Sequence, residues 1–281
     1  MLRSLYSGVS GLKNHQVKMD VIGNNIANVN TVGFKSSRVT FQDVYSQVIQ
    51  PATAPAAGSG MGGTNPQQIG LGVTTGSIDV LHTRAATEYT GAPLDLSIDG
   101  DGFFVVAEGD RLLFTRAGNF YTDANNNLVT ADGLLVQGWT RTTQDEAVPD
   151  MIPAELSPVV ISNDYYDVSI GRNGDIVGID RNTEEKTVIA RICLAHFNNQ
   201  SALEKLGGGL YAQNVNSGPA EYGFPGVGGT AQLNPSSLEM SNVDLAREFT
   251  DMITTQRGFQ ANSRIITVSD QMLEELVNLK R

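Results

Sequence analysis

The chain has 281 residues, 40% of them hydrophobic, which is enough to bury the core of one large domain or two modest ones and excludes a disordered tail. Its 19 Lys and Arg stand against 30 Asp and Glu, a net charge of −11 without any basic run, so the footprint of a nucleic-acid or anionic-membrane binder is missing. Cys193 is the single cysteine, which rules out an internal disulfide and a cysteine-based zinc cluster; its setting in "VIARICLAHF" reads as a buried strand.

The first residues, "MLRSLYSGVSGLKNH", carry no apolar run of signal-peptide length, and no window of 18 apolar residues occurs anywhere, so neither a cleaved signal nor membrane insertion is expected. Leu2, Leu5, Val9, Leu12, Gln16, Met19, Gly23 and Ile26 alternate by three and four, predicting a helix from Leu2 to about Asn28 with a heptad stripe, beside which Ile22 lies. Ser4 with Gly8 and Ser7 with Gly11 form small-residue ridges that suit close approach by other subunits. The helix runs out in "NNIANVNTVGFK". Four neutral amides, Asn24, Asn25, Asn28 and Asn30, make a poor metal site, and Asn30 is a helix-ending residue ahead of Gly33 and Phe34.

Residues 36–70 contain the Pro- and Gly-rich "PATAPAAGSGMGGTNPQQ" and read as an extended connector between a first segment, 1–35, and a β domain over 71–235. All ten prolines and 25 of the 30 glycines fall between residues 36 and 235, where short alternating or β-branched runs are parted by hairpin turns. Strands are expected at "LDLSI", "GFFVVA", "RLLFTRAG", "NFYT", "NLVT", "LLVQGW", "DVSIG", "DIVGI" and "TVIARICLAHF". The Pro-rich stretch 141–160 reads as an exposed excursion and "SALEKLGGG" as a short helix with a glycine stop.

In the last segment, 236–281, "SNVD" offers Ser241 as N-cap with Asp244 in the capping-box place. Leu245, Phe249, Met252, Gln256, Phe259, Ser263, Ile266, Asp270, Leu273 and Val277 then repeat the three-four rhythm. A second apolar line, Ile265, Met272, Leu276 and Leu279, gives this helix more apolar surface than one partner covers. The fold class is therefore α+β: two terminal helices whose stripes should pair with each other, with an antiparallel all-β domain between them.

Catalytic chemistry finds no support. "GSGMGG" at 58–63 matches a dinucleotide fingerprint literally but has neither a strand before it nor a helix after it. Asp123, Asn125 and Asn127 imitate calcium-loop ligands, yet Leu128 and Leu134 stand where Gly and Glu are needed. His15, His82 and His196 lie far apart, and the aromatics Phe103, Phe104, Phe114, Phe120, Tyr121 and Trp139 fit a core. No catalytic residue, metal site or cofactor is expected.

"DVIGNNIANVNTVGFK", "IDGDGFFVV", "FTRAGNFYTDANNNLVTADGLLVQGW" and "LEMSNVDLAREFTDMITTQRGFQANSRIITVSDQMLEELVNLKR" resemble the bacterial flagellar rod and hook family at both ends of the chain and through most of its middle. "LEMSNVDLA", "QRGFQANSR" and "ELVNLKR" are more similar to hook members than to distal-rod members. The length is that of a distal-rod member or of a short hook member lacking the outer domain. The resemblance implies a structural protein without enzyme activity: a helical homopolymer whose N- and C-terminal helices form an antiparallel coiled coil lining a hollow tube and whose β domain forms the shell, serving as a curved, torque-transmitting joint. It also implies export by the flagellar type III apparatus with Leu5 and Val9 as recognition element, and rod proteins, hook–filament junction proteins and the hook cap as partners. Asn24, Asn25, Asn28 and Asn30 then read as hydrogen-bonding surface between subunits, with Gly33 and Phe34 at the joint of tube and shell and 36–70 as a hinge.

Overall fold

The structure, a computed structural model, describes residues 2–54, 63–141, 156–181, 184–227 and 230–279. It is α+β and divides into two compact units, one made of Met1–Ala27, Ser37–Val80 and Asp244–Arg281, the other of Asn28–Ser36 and Leu81–Val243. No helix among the described residues is long and apolar enough to cross a membrane.

In the first unit, α1 (Leu2–Ala27) packs on α2 (Leu245–Asn278). The pairing is antiparallel: Gly8 faces Ile266, Gly11 faces Asn262, His15 faces Gly258, Lys18 lies 3.8 Å from Asp251 and Asn25 reaches Glu248. The approach is close because the facing residues are small. A Cβ added at Gly11 would stand 2.6 Å from the Asn262 amide, and one at Gly258 would stand 2.7 Å from the His15 ring. Of the small ridge expected to meet other subunits, Gly8 and Gly11 are thus covered by the chain's own second helix, whereas Ser7 is half-buried and Ser4 exposed.

Asp244, not Ser241, caps α2, its carboxylate accepting from the N–H groups of Ala246 and Arg247 at 2.9 and 3.4 Å. Asn242 explains the shift. Its N–H meets the Phe34 carbonyl and its amide donates to the Leu81 carbonyl at 2.8 Å, which holds the chain extended up to the cap.

Where the sequence suggests an extended connector, the described residues form an antiparallel ribbon: β1 (Ser37–Asp43) pairs with β4 (Val73–Val80), β2 (Gln47–Gln50) pairs with β3 (Gln67–Ile69), and Thr53 bridges Thr64. Residues 55–62, which include most of "GSGMGG", lie outside the described part. The ribbon is tied to α1 through buried Asn14, which donates to the Val73 carbonyl and accepts from the Thr75 hydroxyl, both at 2.7 Å. This pairing satisfies an amide that would otherwise be costly to bury.

The second unit contains β5 (Thr87–Tyr89), β6 (Leu96–Asp99), β7 (Phe103–Glu108), β8 (Arg111–Thr115), β9 (Phe120–Thr122), β10 (Leu128–Thr130), β11 (Leu135–Thr140), β12 (Ser157–Pro158), β13 (Tyr165–Ile170), β14 (Asp175–Asp180) and β15 (Lys186–Ile192). It continues with β16 (Leu194–His196), β17 (Glu204–Gly207), β18 (Leu210–Ala212), β19 (Glu221–Gly223), β20 (Gln232–Pro235) and β21 (Ser237–Glu239). An antiparallel sheet runs β13-β14-β15-β11-β7-β8-β18-β17, while β20 pairs with β6 and β21 with β5. β7 reads as a continuous apolar run because both its faces are covered: Phe104 and Val106 enter one core with Leu96, Leu128 and Ile192, and Phe103 and Val105 enter another with Phe114, Cys193 and Phe197. "SALEKLGGG" is not a helix beyond the single 3₁₀ turn Gln200–Ala202. Gly207, Gly208 and Gly209 all have positive φ and turn the β17–β18 hairpin, a conformation side-chain-bearing residues avoid. Of the excursion at 141–160, residues 142–155 lie outside the described part, and the chain re-enters the core with Val159.

Candidate functional site

Two features stand out, one in each unit. In the first, the heptad stripes do not form the seam of the helix pair. Among the expected seam residues only Ile22 is fully buried; Leu5, Leu12, Met19, Ile26, Met252, Phe259, Ile266 and Leu273 are half-buried, and Val9, Leu245, Phe249 and Val277 are exposed. Leu2 opens α1. The buried positions are instead Gly8, Gly11, Asn14, Ile22 and Asn25 on α1, with Thr255 and Ser269 on α2. Small side chains bring the backbones together, which displaces the larger apolar residues to the flanks. Ile265, Val268, Met272, Leu276 and Leu279 form one exposed line at helical spacing on α2, matching the second apolar line of the sequence.

The asparagines divide. Asn25 is used inside the unit: its amide donates to the Ser37 carbonyl at 2.9 Å and to Glu248 at 3.2 Å, and its oxygen accepts from the Ser37 N–H at 3.0 Å. It is buried and offers no surface to another subunit. Asn24 and Asn30 are exposed, and Asn28 is half-buried, accepting from the Thr31 hydroxyl at 3.1 Å.

In the second unit the two terminal motifs interlock. Gly33 has φ +68°, and a Cβ there would lie 2.7 to 2.8 Å from the backbone of Arg116 and Ala117, so this tight passage requires glycine. The Gly33 N–H donates to the Glu239 carbonyl at 2.8 Å, and the Ser36 N–H donates to the Asn242 side chain at 2.7 Å. Beneath them Lys35 Nζ lies 2.7 Å from Glu239 Oε1, and Arg116 Nη1 lies 3.2 Å from Glu239 Oε2; all three side chains are at most 1% exposed. Lys35 also donates to the Thr83 carbonyl and Arg116 to the Gly100 carbonyl, each at 2.8 Å. Lys205 covers the edge, donating to the Lys35 carbonyl at 2.8 Å with its ammonium 4.7 Å above the Phe34 ring. Three positions far apart in sequence thus share one buried carboxylate and two buried cations.

Comparison with known proteins fits this geometry. Residues 5–35 match the model "Flagella basal body rod protein", residues 97–178 "Flagellar hook protein FlgE/F/G D1 domain" and residues 234–279 "Flagellar basal body rod FlgEFG protein C-terminal". The chain is 52% identical to the flagellar basal-body rod protein FlgG of Bacillus subtilis (strain 168), with all of both chains aligned. It is 34% identical to the FlgG of Caulobacter vibrioides over 99% of this chain and all of that one. It is also 32% identical to the flagellar hook protein FlgE of Borreliella burgdorferi, with all of both chains covered in an alignment of 443 positions. The chain belongs to the flagellar rod and hook family.

That family is one of structural flagellar components. The interlocked motifs fall in its N- and C-terminal models, whereas Arg116 comes from the D1 model. Asp123, the calcium-like position, accepts from the backbone N–H groups of Asn125 and Asn127, both at 2.8 Å, and from the Asn127 side chain at 3.0 Å. These bonds, those of Asn127 foremost, hold the carboxyl below its usual range and make the feature a turn. Among the described residues no group of three or more His, Cys, Asp or Glu is placed to hold a metal.

Sequence reading missed Lys35, Arg116, Glu239 and Asn242. The available signal was a charge set inside each apolar motif, Lys35 in "GFK" and Glu239 in "LEMS". His82, one of three histidines lying far apart in the sequence, is a core residue. That ring sits edge-on to Phe103 and Tyr211 at 5.5 and 5.4 Å with both nitrogens buried and unpartnered. Burial first, then the positive charges of Lys35, Arg116 and Lys205, hold its pKa down to about 4. An unfolded imidazole titrates near 6.5, so between these values the unfolded chain takes up a proton that the folded one refuses. The contribution is fully present above pH 6.5 and is lost as pH falls towards 4, in total roughly 3 kcal/mol. Urea unfolding of wild type and His82→Phe across this window should show a shallower pH dependence in the variant by about that amount.

Proposed function

We propose that this chain is a subunit of the distal rod of the flagellar basal body, polymerising into a straight hollow tube that turns as a shaft. The observation that carries this reading is similarity to rod proteins from end to end at the chain's own length. The hook relatives from Borreliella burgdorferi and Treponema pallidum require alignments of 443 and 466 positions to hold its 281 residues. The motifs that favoured the hook lie almost wholly within 234–279, a region matched by a model common to rod and hook members, so they do not separate the two branches.

The ribbon supports the same choice. A flexible joint calls for a hinge, yet β1 pairs with β4, β2 pairs with β3, and the ribbon is fastened to α1 at Asn14. No charged residue occurs from Val44 to Ile78, and Tyr45, Val48, Ile49, Ile69 and Leu71 are 40% or more exposed. Paired, and between residues 44 and 78 uncharged, such a ribbon stiffens a contact instead of lubricating one.

In the tube the helix pair lines the hollow core and the β unit forms the shell. Export proceeds through the flagellar type III apparatus without a cleaved signal, with half-buried Leu5 and exposed Val9 available for recognition before the chain folds. Its partners are further copies of itself and the neighbouring rod and hook proteins; the hook cap and the hook–filament junction belong to the hook reading. Electron microscopy of the polymer grown from purified subunits tests the proposal. Straight tubes are expected, and curved or supercoiled ones would return the chain to the hook.

A further inference from the structure

We infer that the buried Glu239 cluster makes folding of the β unit conditional on the arrival of residues 232–243, so that the unit stays open until nearly the whole chain is free. Lys35 and Arg116 are 0 and 1% exposed at the side chain, and Glu239 is the carboxylate that bridges them. It follows them by 204 and 123 positions. Asp101 also acts on both cations at longer range, but it is exposed, and among the described residues no ion pair joins it to either. Without Glu239 the unit would have to bury two cations with no bonded counter-charge, which is strongly unfavourable.

The same late segment supplies more than charge. β20 pairs with β6 and delivers Leu233, fully buried, to the larger core; β21 pairs with β5; the Glu239 carbonyl receives the Gly33 N–H; and the Met240 N–H donates to Ala86 at 2.9 Å. Completion of the unit therefore depends on a long-range closure, and such closures are slow. For a subunit that leaves an export channel amino end first, as the Leu5 and Val9 reading implies, the β unit would not close at the exit while the rest of the chain was still in transit. That consequence rests on the proposed function; the folding order itself does not.

Pulsed hydrogen exchange read by mass spectrometry during refolding of the full chain from urea tests the inference. Protection of β7 and β15 should appear in the same kinetic phase as protection of Gly33 and Met240. Glu239→Gln should slow that phase at least tenfold, and the apolar combination Lys35→Met, Arg116→Met and Glu239→Met should let β7 and β15 become protected first. Protection of β7 and β15 ahead of Gly33 and Met240 in the wild-type chain would overturn the inference, and this comparison decides even where a variant fails to fold. A chain that fails this test yet forms straight tubes remains a rod subunit without a folding clasp.

Discussion

Glu239→Gln should cost the β unit about 3 to 5 kcal/mol, the penalty for leaving a buried ion without its partner. The charge balance makes the effect large. Wild type buries Lys35 and Arg116 against one carboxylate, an excess of one positive charge; the variant raises that excess to two in a site at most 1% exposed. Burial already pulls the Lys35 and Arg116 pKa values down, and Glu239 is the main group pulling them back up.

Lys35→Met tests the same balance from the other side. It removes the excess cation and leaves Arg116 paired with Glu239, so it should be milder than Glu239→Gln, and in the double variant it should recover part of the loss. The two residues are in contact, so a coupling energy above about 1 kcal/mol is expected in the double-mutant cycle. Urea denaturation of the four chains measures all these quantities. A Glu239→Gln chain within about 1 kcal/mol of wild type would show that the cluster is solvated in solution.

The parts of the fold legible in the sequence are those where local pattern and tertiary packing agree. α1 runs Leu2–Ala27 against an expected end near Asn28, and the expected hairpin turns between short runs are found at Gly109, Gly133 and Gly174, all three glycines having positive φ. Cys193 and Trp139 are buried as expected, whereas Tyr121 is 56% exposed, because β9 presents one side chain to the core and the next to solvent. The outer half of the ribbon was illegible, although β4 alternates half-buried and exposed residues. β2 and β3 are exposed at every position, so no buried face marks their period.

The site was harder to read for a different reason. Heptad spacing identifies which residues share a helix face but not which face meets the partner, and in this pair glycine and polar residues won the seam. Likewise the motifs could be seen without their bonds. Nothing local to "TVGFK" or "LEMSNV" shows that Gly33, Lys35 and Ser36 meet Glu239 and Asn242, because the partners are about 200 residues apart. For the same reason Asn25 resembled a surface amide while its partners are Ser37 and Glu248.

Val268→Asp combined with Met272→Asp should abolish polymerisation at concentrations where wild type assembles, while leaving the subunit folded. Both residues lie on the outward line of α2, 51 and 44% exposed, and the buried positions of that helix are Thr255 and Ser269. The change therefore touches no internal contact of consequence, and its cost to the monomer should stay near the helix propensity of Asp, about 0.5 kcal/mol per position. In a polymer the same surface must be covered. Forfeiting burial of two such side chains removes roughly 2 to 4 kcal/mol at each contact, which raises the critical concentration by a factor of about 30 to 1,000. The new carboxylates also join Asp270, Glu274 and Glu275 on a chain of net charge −11, so repulsion acts in the same direction and should be partly relieved by salt. Sedimentation velocity with circular dichroism separates the two consequences: helix content should match wild type while the species remains monomeric. The conservative Val268→Leu, which keeps the apolar surface, should assemble normally. Polymer formed by the double Asp variant at the wild-type concentration would show that copies meet elsewhere, as on the outer strands β2 and β3, whose exposed Val48, Ile49 and Ile69 offer another apolar surface of the first unit.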